Sequence, residues 1–182
     1  MLPAWSTIRA GFHAGELLAY PTEAVWGLGC DPWNQEAVWR LLALKRRPVH
    51  KGLILVAGNW ATMNPLIHHL SADQRTVLIQ SWPGAVTWLI PTPPHVPWWI
   101  TGGRDTVAVR LSAHPLIRQF SERVGLPLVS TSANRSGGRP ARHEFQVRHW
   151  FGRQVPIILG GALGGARQPS TIRDLRSGQT LR

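Results

Sequence analysis

Residues 34–57 read NQEAVWRLLALKRRPVHKGLILVA. Asn34 is suited to cap a helix, because its side-chain oxygen can accept a free first-turn N–H. Val38, Leu41, Leu42 and Lys45 then recur every three or four residues, which predicts a helix through Lys45. A run of cations follows, and Gly52 to Ala57 is apolar and rich in β-branched residues, as a buried strand is. Helix, short basic loop and buried strand make one unit of an α/β layer.

The rest of the chain repeats the theme. Pro3 to Gly15 carries Trp5, Ile8 and Phe12 at helical spacing, and Leu17 to Tyr20 reads as a short buried strand. Ser71 starts a helix with Asp73 in its first turn, and Trp82-Pro83-Gly84 stops it. Val86 to Ile90 and Thr106 to Leu111 are expected strands, joined by a Pro- and Trp-rich connection over Pro91 to Arg104. His114 to Arg123 reads as a helix, Leu128 to Thr131 and Pro156 to Leu159 as strands, and Gly160 to Gly165 as a flexible connection. The expected fold is α/β, a single domain over residues 1–182 with a twisted mixed β-sheet flanked by helices. It is mixed because several connections are too short to hold a crossover helix.

With 182 residues, 43% of them hydrophobic and 16% charged, the chain can bury one sizeable core and lacks the composition of a disordered protein. Cys30 is its single cysteine, so an intramolecular disulfide is impossible and a reducing, cytoplasmic setting is expected. Arg9, His13 and Glu16 interrupt the apolar residues near the N-terminus, so neither a signal-peptide core nor a membrane span is read there. The formal net charge is +11, and from Arg135 onward nine arginines face only Glu144 and Asp174. That excess predicts a basic face and a polyanionic partner, nucleotide or nucleic acid, although an arginine-rich solubilising surface would look the same. Most of the ten tryptophans are expected in the core or on its rim.

Three segments hold groups that could do chemistry. In Tyr20 to Gly29 a polar turn follows a strand, offering the Thr22 hydroxyl and the Glu23 carboxylate beside Gly27 and Gly29, where a backbone can come close. In Lys45 to Gly52 the cations Lys45, Arg46, Arg47 and Lys51 crowd a helix end; the helix dipole favours them there, but their mutual repulsion also suits a phosphate. In Leu128 to Gly138 an apolar strand runs into Ser130, Ser132 and Asn134, donors that could form either a phosphate-binding nest or an ordinary turn. No GxxxxGK[ST], GxGxxG or HExxH pattern occurs, and the adjacent His68 and His69 read as surface residues.

Together these segments resemble the YrdC-like threonylcarbamoyl-adenylate synthase family, over essentially the whole chain. The family's PTE and GLG element is matched by Pro21 to Gly29, with Trp26 where Tyr or Phe is usual, and its KxR and SxN signature by Lys45, Arg47, Ser132 and Asn134. Its KGLIL strand is matched by Lys51 to Leu55, its Pro-Gly element by Ser81 to Thr87, its AVR strand by Ala108 to Arg110 and its closing STxxD element by Ser170 to Asp174. The likeness is to the short bacterial subfamily rather than to the longer two-domain one.

The resemblance implies a nucleotidyltransferase that joins L-threonine, bicarbonate or CO₂, and ATP into threonylcarbamoyl-AMP and pyrophosphate. Partner tRNA-modification proteins would then pass the threonylcarbamoyl group to tRNAs reading codons that begin with adenine. By the same resemblance the basic residues line a concave cleft. Lys45 and Arg47, at a helix end expected to face solvent, would be the catalytic cations on the ATP phosphates. Lys51, Ser132, Asn134 and Ser170 would also contact ATP; Thr22, Arg110 and Ser130 would hold threonine. Mg²⁺ is expected on the phosphates, with no metal site of the protein's own and no membrane association. Direct tRNA binding is compatible with the charge, and the rival reading is a noncatalytic protein that grips tRNA or rRNA.

Overall fold

The computed structural model describes residues 4–181, so the expected helix start at Pro3 lies outside the described residues. In chain order the elements are α1 (Trp5–His13), β1 (Leu18–Pro21), β2 (Trp26–Gly29), α2 (Gln35–Lys45), a 3-10 turn (Val49–Lys51), β3 (Ile54–Ala57), α3 (Trp60–Ile67) and α4 (Ala72–Ser81). Then follow β4 (Val86–Pro91), α5 (Trp98–Thr101), β5 (Thr106–Leu111), α6 (Pro115–Val124), β6 (Leu128–Ser132), α7 (Glu144–Phe151), β7 (Ile157–Ile158) and β8 (Thr171–Asp174). Capping follows the sequence: Ala37 N donates to Asn34 Oδ1 at 3.0 Å, and Ser71 and Gln74 form a reciprocal capping box on α4.

The strands form one sheet in the order β7-β1-β2-β6-β3-β5-β4-β8. It is mixed, as expected: β1–β7, β3–β5 and β4–β8 are parallel, and the other neighbours are antiparallel. Gly29 lets β2 lie close to β6, because a Cβ there would sit 2.3 Å from Val129 O.

Period-two alternation sends successive side chains to opposite faces. Ala19, Leu28, Leu55, Trp88, Val109 and Val129 belong to the larger apolar cluster, which is closed by residues of α2, α3, α4, α5 and α7. Leu18, Tyr20, Val56 and Leu128 face the other way and are covered by α1 and α6 alone, whose Phe12 and Phe120 rings meet edge to face at 5.1 Å. Two helices do not span eight strands. On that second face Arg110 and Ala108 of β5, which alternate with the buried Val107 and Val109, are left without a helix above them.

Of the ten tryptophans, Trp26, Trp82 and Trp88 are buried, three are half-buried and Trp39, Trp60, Trp98 and Trp150 are exposed. The core-or-rim expectation therefore holds for six of them. His68 and His69 are exposed, as the sequence suggests. Among the described residues no helix is long and apolar enough to cross a membrane.

Candidate functional site

The uncovered part of the sheet forms the floor of a cavity of about 650 Å³, to which β3 contributes Ile54, β4 Leu89, β5 Ala108 and Arg110, and β6 Ser130. Thr22 and Glu23 from the β1–β2 turn, Arg47 and Lys51 from the basic loop, Arg104, Ser132 and Ser170 complete the lining. Arg47, Lys51, Arg104 and Arg110 thus share the cavity with one carboxylate, Glu23.

The basic loop takes its shape at Arg46, whose φ of 51° and ψ of 45° are left-handed, an arrangement rarely adopted outside glycine. This reversal sends Lys45 and Arg47 in different directions. Arg47 Nη2 donates to Gly52 O at 2.8 Å and lines the cavity. Arg104 Nη1 donates to Lys51 O at 3.2 Å, so a second arginine steadies the same loop.

Lys45 does not face solvent. Its residue is only 3% exposed, and its Nζ donates to Ser132 O and, at 2.7 Å, to Asn134 O. The expectation of a solvent-facing helix end fails because the turn after β6 folds over the last turn of α2, with Ser136 N donating to Lys45 O at 2.8 Å. Burial, and then the nearby charge of Arg47, push the Lys45 ammonium down to about 8. Lys45 and Asn134 stand behind the cavity lining, whereas Arg47 and Ser132 are in it.

Asn134 and Ser132 largely satisfy each other. Ser132 Oγ donates to Asn134 Oδ1 at 2.5 Å, and Asn134 Nδ2 donates to Arg135 O and Gly138 O, which closes the turn. Ser130 hydrogen-bonds the Tyr20 hydroxyl, whose proton is held more firmly than usual because burial outweighs that bond and the Arg110 charge. Thr22 Oγ1 donates to Val25 O at 2.6 Å, and the Ser170 hydroxyl pairs with that of Thr87 at 2.8 Å.

Arg110 has protein partners of its own. Its Nε donates to Gly84 O at 2.9 Å, and its Nη2 lies 2.6 Å from Glu23 Oε2. Ser112 Oγ donates to the other Glu23 oxygen at 2.7 Å. The guanidinium fork has five N–H donors, so these contacts leave Nη1 for a further acceptor. Desolvation alone would raise the Glu23 pKa, but the Arg110 charge and the Ser112 hydrogen bond outweigh it and hold the carboxyl below its ordinary 4.5. The ionised pair therefore contributes stability above about pH 4.5 that is lost as pH falls through the lowered value. Acid denaturation followed by circular dichroism should show a shallower loss below that pH for Glu23→Gln than for the parent. Identical slopes would mean that the pair adds nothing.

Sequence reasoning missed Glu23 as the partner of Arg110, and it missed Ser112 and Arg104 altogether. It also misjudged Gly160 to Gly165, which is not a free connection. Gly164 N donates to Thr22 O at 3.0 Å and Ala166 N to Glu23 O at 2.8 Å, while His114 Nε2 lies 3.1 Å from Ala162 O. These bonds tie the segment to the cavity rim.

A family model described as telomere recombination, Sua5_yciO_yrdC, matches residues 11–182. The threonylcarbamoyl-AMP synthase of Pseudomonas putida is 52% identical over 171 residues, covering 93% of this chain and 91% of that one. That of Pseudomonas entomophila is 48% identical over 184 residues, covering 100% and 99%. Among solved structures, P. abyssi Sua5 complexed with L-threonine superposes with a TM-score of 0.86 at 31% identity, covering 94% of this chain and 51% of that one, so the present chain spans about half its length. E. coli YciO gives a TM-score of 0.80 at 21% identity, with 94% and 85% covered, which shows a shared fold.

Proposed function

The chain belongs to the Sua5/YciO/YrdC family, and from that we propose that its cavity makes threonylcarbamoyl-AMP from L-threonine, bicarbonate or CO₂, and ATP. It is an enzyme, with relatives about half identical over its whole length that carry this one activity, which serves the threonylcarbamoyladenosine modification of tRNA. The rival reading, a noncatalytic RNA-binding protein, is not favoured. The observation that carries the proposal is one cavity lined at once by Arg47, Lys51, Ser132 and Ser170 and by Thr22, Arg110 and Ser130. The former set suits a triphosphate; the latter suits an amino acid.

In the reaction, bicarbonate first gives up hydroxide to become CO₂, and the threonine amine then bonds to the CO₂ carbon and releases its proton to water, so that one water is formed overall for each bicarbonate used. A carbamate oxygen then attacks the α-phosphorus while the bond to the bridging oxygen breaks and pyrophosphate leaves. This is nucleotidyl transfer. Arg47, with Lys51 beside it, offers donors to the phosphates as charge gathers on the leaving group, and Lys45 acts from behind by fixing the Ser132–Asn134 turn. Arg110 offers its remaining N–H groups to the threonine carboxylate, with Ser130 and Thr22 nearby, and the L-threonine bound to P. abyssi Sua5 supports an amino-acid subsite in this fold. The one lining carboxylate, Glu23, is engaged by Arg110 and Ser112, so Mg²⁺ would ride on the ATP phosphates and water rather than on a protein cage. A cytoplasmic location, transfer of the product to tRNA-modification proteins and direct contact with tRNA complete the proposal.

The test is pyrophosphate release with ATP, threonine and bicarbonate each omitted in turn. Release is expected only when all three are present, and release without threonine would overturn the assignment. Arg47→Ala should lower kcat/KM by about 100- to 1000-fold, the usual cost of removing one donor to developing charge.

A further inference from the structure

His114 is a buried polar residue, 7% exposed, that the proposed chemistry does not use and that does not line the main cavity. Both of its ring nitrogens are engaged. As the N-cap of α6 it accepts the Leu116 N–H at Nδ1, 3.3 Å away, so Nδ1 carries no proton. An imidazole keeps one N–H, which is then on Nε2 and donates to Ala162 O at 3.1 Å.

Ala162 belongs to segment 159–170, which joins β7 at one edge of the sheet to β8 at the other and ends at the cavity with Gln168, Pro169 and Ser170. Its own side chains do little to hold it. Ala162, Gly164 and Gly165 are exposed, and from 160 to 166 only Leu163 packs against an apolar cluster. Among the described residues, the one side-chain hydrogen bond to residues 160–169 comes from His114.

This segment lies directly on the β1–β2 turn. A Cβ on Gly164 would stand 3.0 Å from Glu23 Cα, so the backbone comes this near because glycine has none. Gly164 N then donates to Thr22 O at 3.0 Å and Ala166 N to Glu23 O at 2.8 Å. A second route reaches the same turn from the residue's backbone: His114 N donates to Ser112 Oγ at 3.1 Å, and Ser112 Oγ donates to Glu23 Oε1 at 2.7 Å. Glu23 in turn holds Arg110.

We propose that His114 is a positioning residue for the amino-acid subsite: by anchoring Ala162 it holds the segment against Thr22 and Glu23, and Glu23 aims Arg110 at the substrate carboxylate. The inference rests on the reading of the cavity as one that binds threonine. Arg47 and Lys51 are held instead within their own loop, through Gly52 O and Arg104, so the phosphate side is set independently.

The experiment measures L-threonine binding by titration calorimetry, and the KM values for threonine and for ATP in the pyrophosphate assay, in two variants that divide the two bonds of the ring. His114→Asn keeps an acceptor for the Leu116 N–H but is too short to reach Ala162 O. His114→Gln can present an amide N–H to Ala162 O but gives up the cap. His114→Asn should weaken threonine binding and raise its KM by about 5- to 10-fold, the net worth of one hydrogen bond, with the KM for ATP at the parent value. His114→Gln should recover most of the threonine affinity although its thermal unfolding comes earlier. A purely structural residue would give the opposite order, with the cap-keeping variant the better enzyme, and that order would overturn the proposal, as would equal threonine affinity in the parent and His114→Asn. Gly164→Ala tests the far end of the segment with His114 intact: its Cβ should push the segment off the turn and raise the threonine KM while sparing that for ATP. A parent that bound no threonine in the calorimeter would strike the amino-acid subsite itself, a failure distinct from a parent that binds it and variants that bind it equally well.

Discussion

Replacing Lys45 with alanine is expected to abolish turnover and to lower the unfolding free energy by about 2–4 kcal/mol, measured by chemical denaturation beside the pyrophosphate assay. The cost arises because Nζ is the donor to both Ser132 O and Asn134 O, and truncation leaves the two carbonyls without it. Lys45→Met keeps most of the volume and should be destabilised nearly as much. The pH dependence separates charge from hydrogen bonding. With the folded value near 8 and an ordinary value of 10.5, the unfolded chain holds more protons between those limits, so this lysine makes stability rise with pH across that window. A neutral amine still has two N–H groups for two carbonyls, so the turn, and turnover with it, should survive above about pH 8. The stability rise should be absent in Lys45→Met. A variant as stable as the parent, with the same pH slope, would show that the buried amine supports neither the turn nor the charge.

The second large effect is expected at Arg110. Arg110→Ala should raise the KM for threonine by about 100-fold or more and cost about 3 kcal/mol, because Glu23 would keep its charge in a poorly solvated place with Ser112 as its remaining side-chain partner. The companion variant, Glu23→Gln with Arg110→Met, removes both charges. It should regain most of the stability and none of the threonine affinity. If threonine use returned together with stability, Arg110 would be a structural partner of Glu23 and nothing more. Single-substrate kinetics and thermal unfolding of the same samples give both readouts.

How much of this was legible in the sequence depends on where each signal lies. The cap at Asn34, the stripe through Leu41 and Leu42 and the strand after Gly52 are local patterns, and all three hold. α7 is hard to see because Phe145 and Trp150 are apolar but exposed, so its large residues do not trace one stripe. α3 contains Pro65, and β2 reads WGLG, half of it glycine, so neither carries the propensity of its class. Seven of the nine expected residues line one cavity, Lys45 and Asn134 standing outside it, but the partners of these residues were not legible. Lys45 reads as a surface cation favoured by the helix dipole, and only the folded chain brings carbonyls from 87 and 89 residues away to its amine. The hold of residues 164–166 on the rim runs through backbone N–H groups, which every residue but proline has and which leave no trace in side-chain pattern.

The sheet has a full coat of helices on one side and half a coat on the other, and the bare half is the floor of the cavity proposed to take the substrates. Under that proposal, bound nucleotide and amino acid would stand in for a missing layer of the architecture. Occupancy and folding are thereby linked: ligand at about 100 times its Kd adds about 2.7 kcal/mol to the filled form. A cell rich in ATP and threonine would hold this enzyme in a sturdier state than a starved one, with no second regulatory site required.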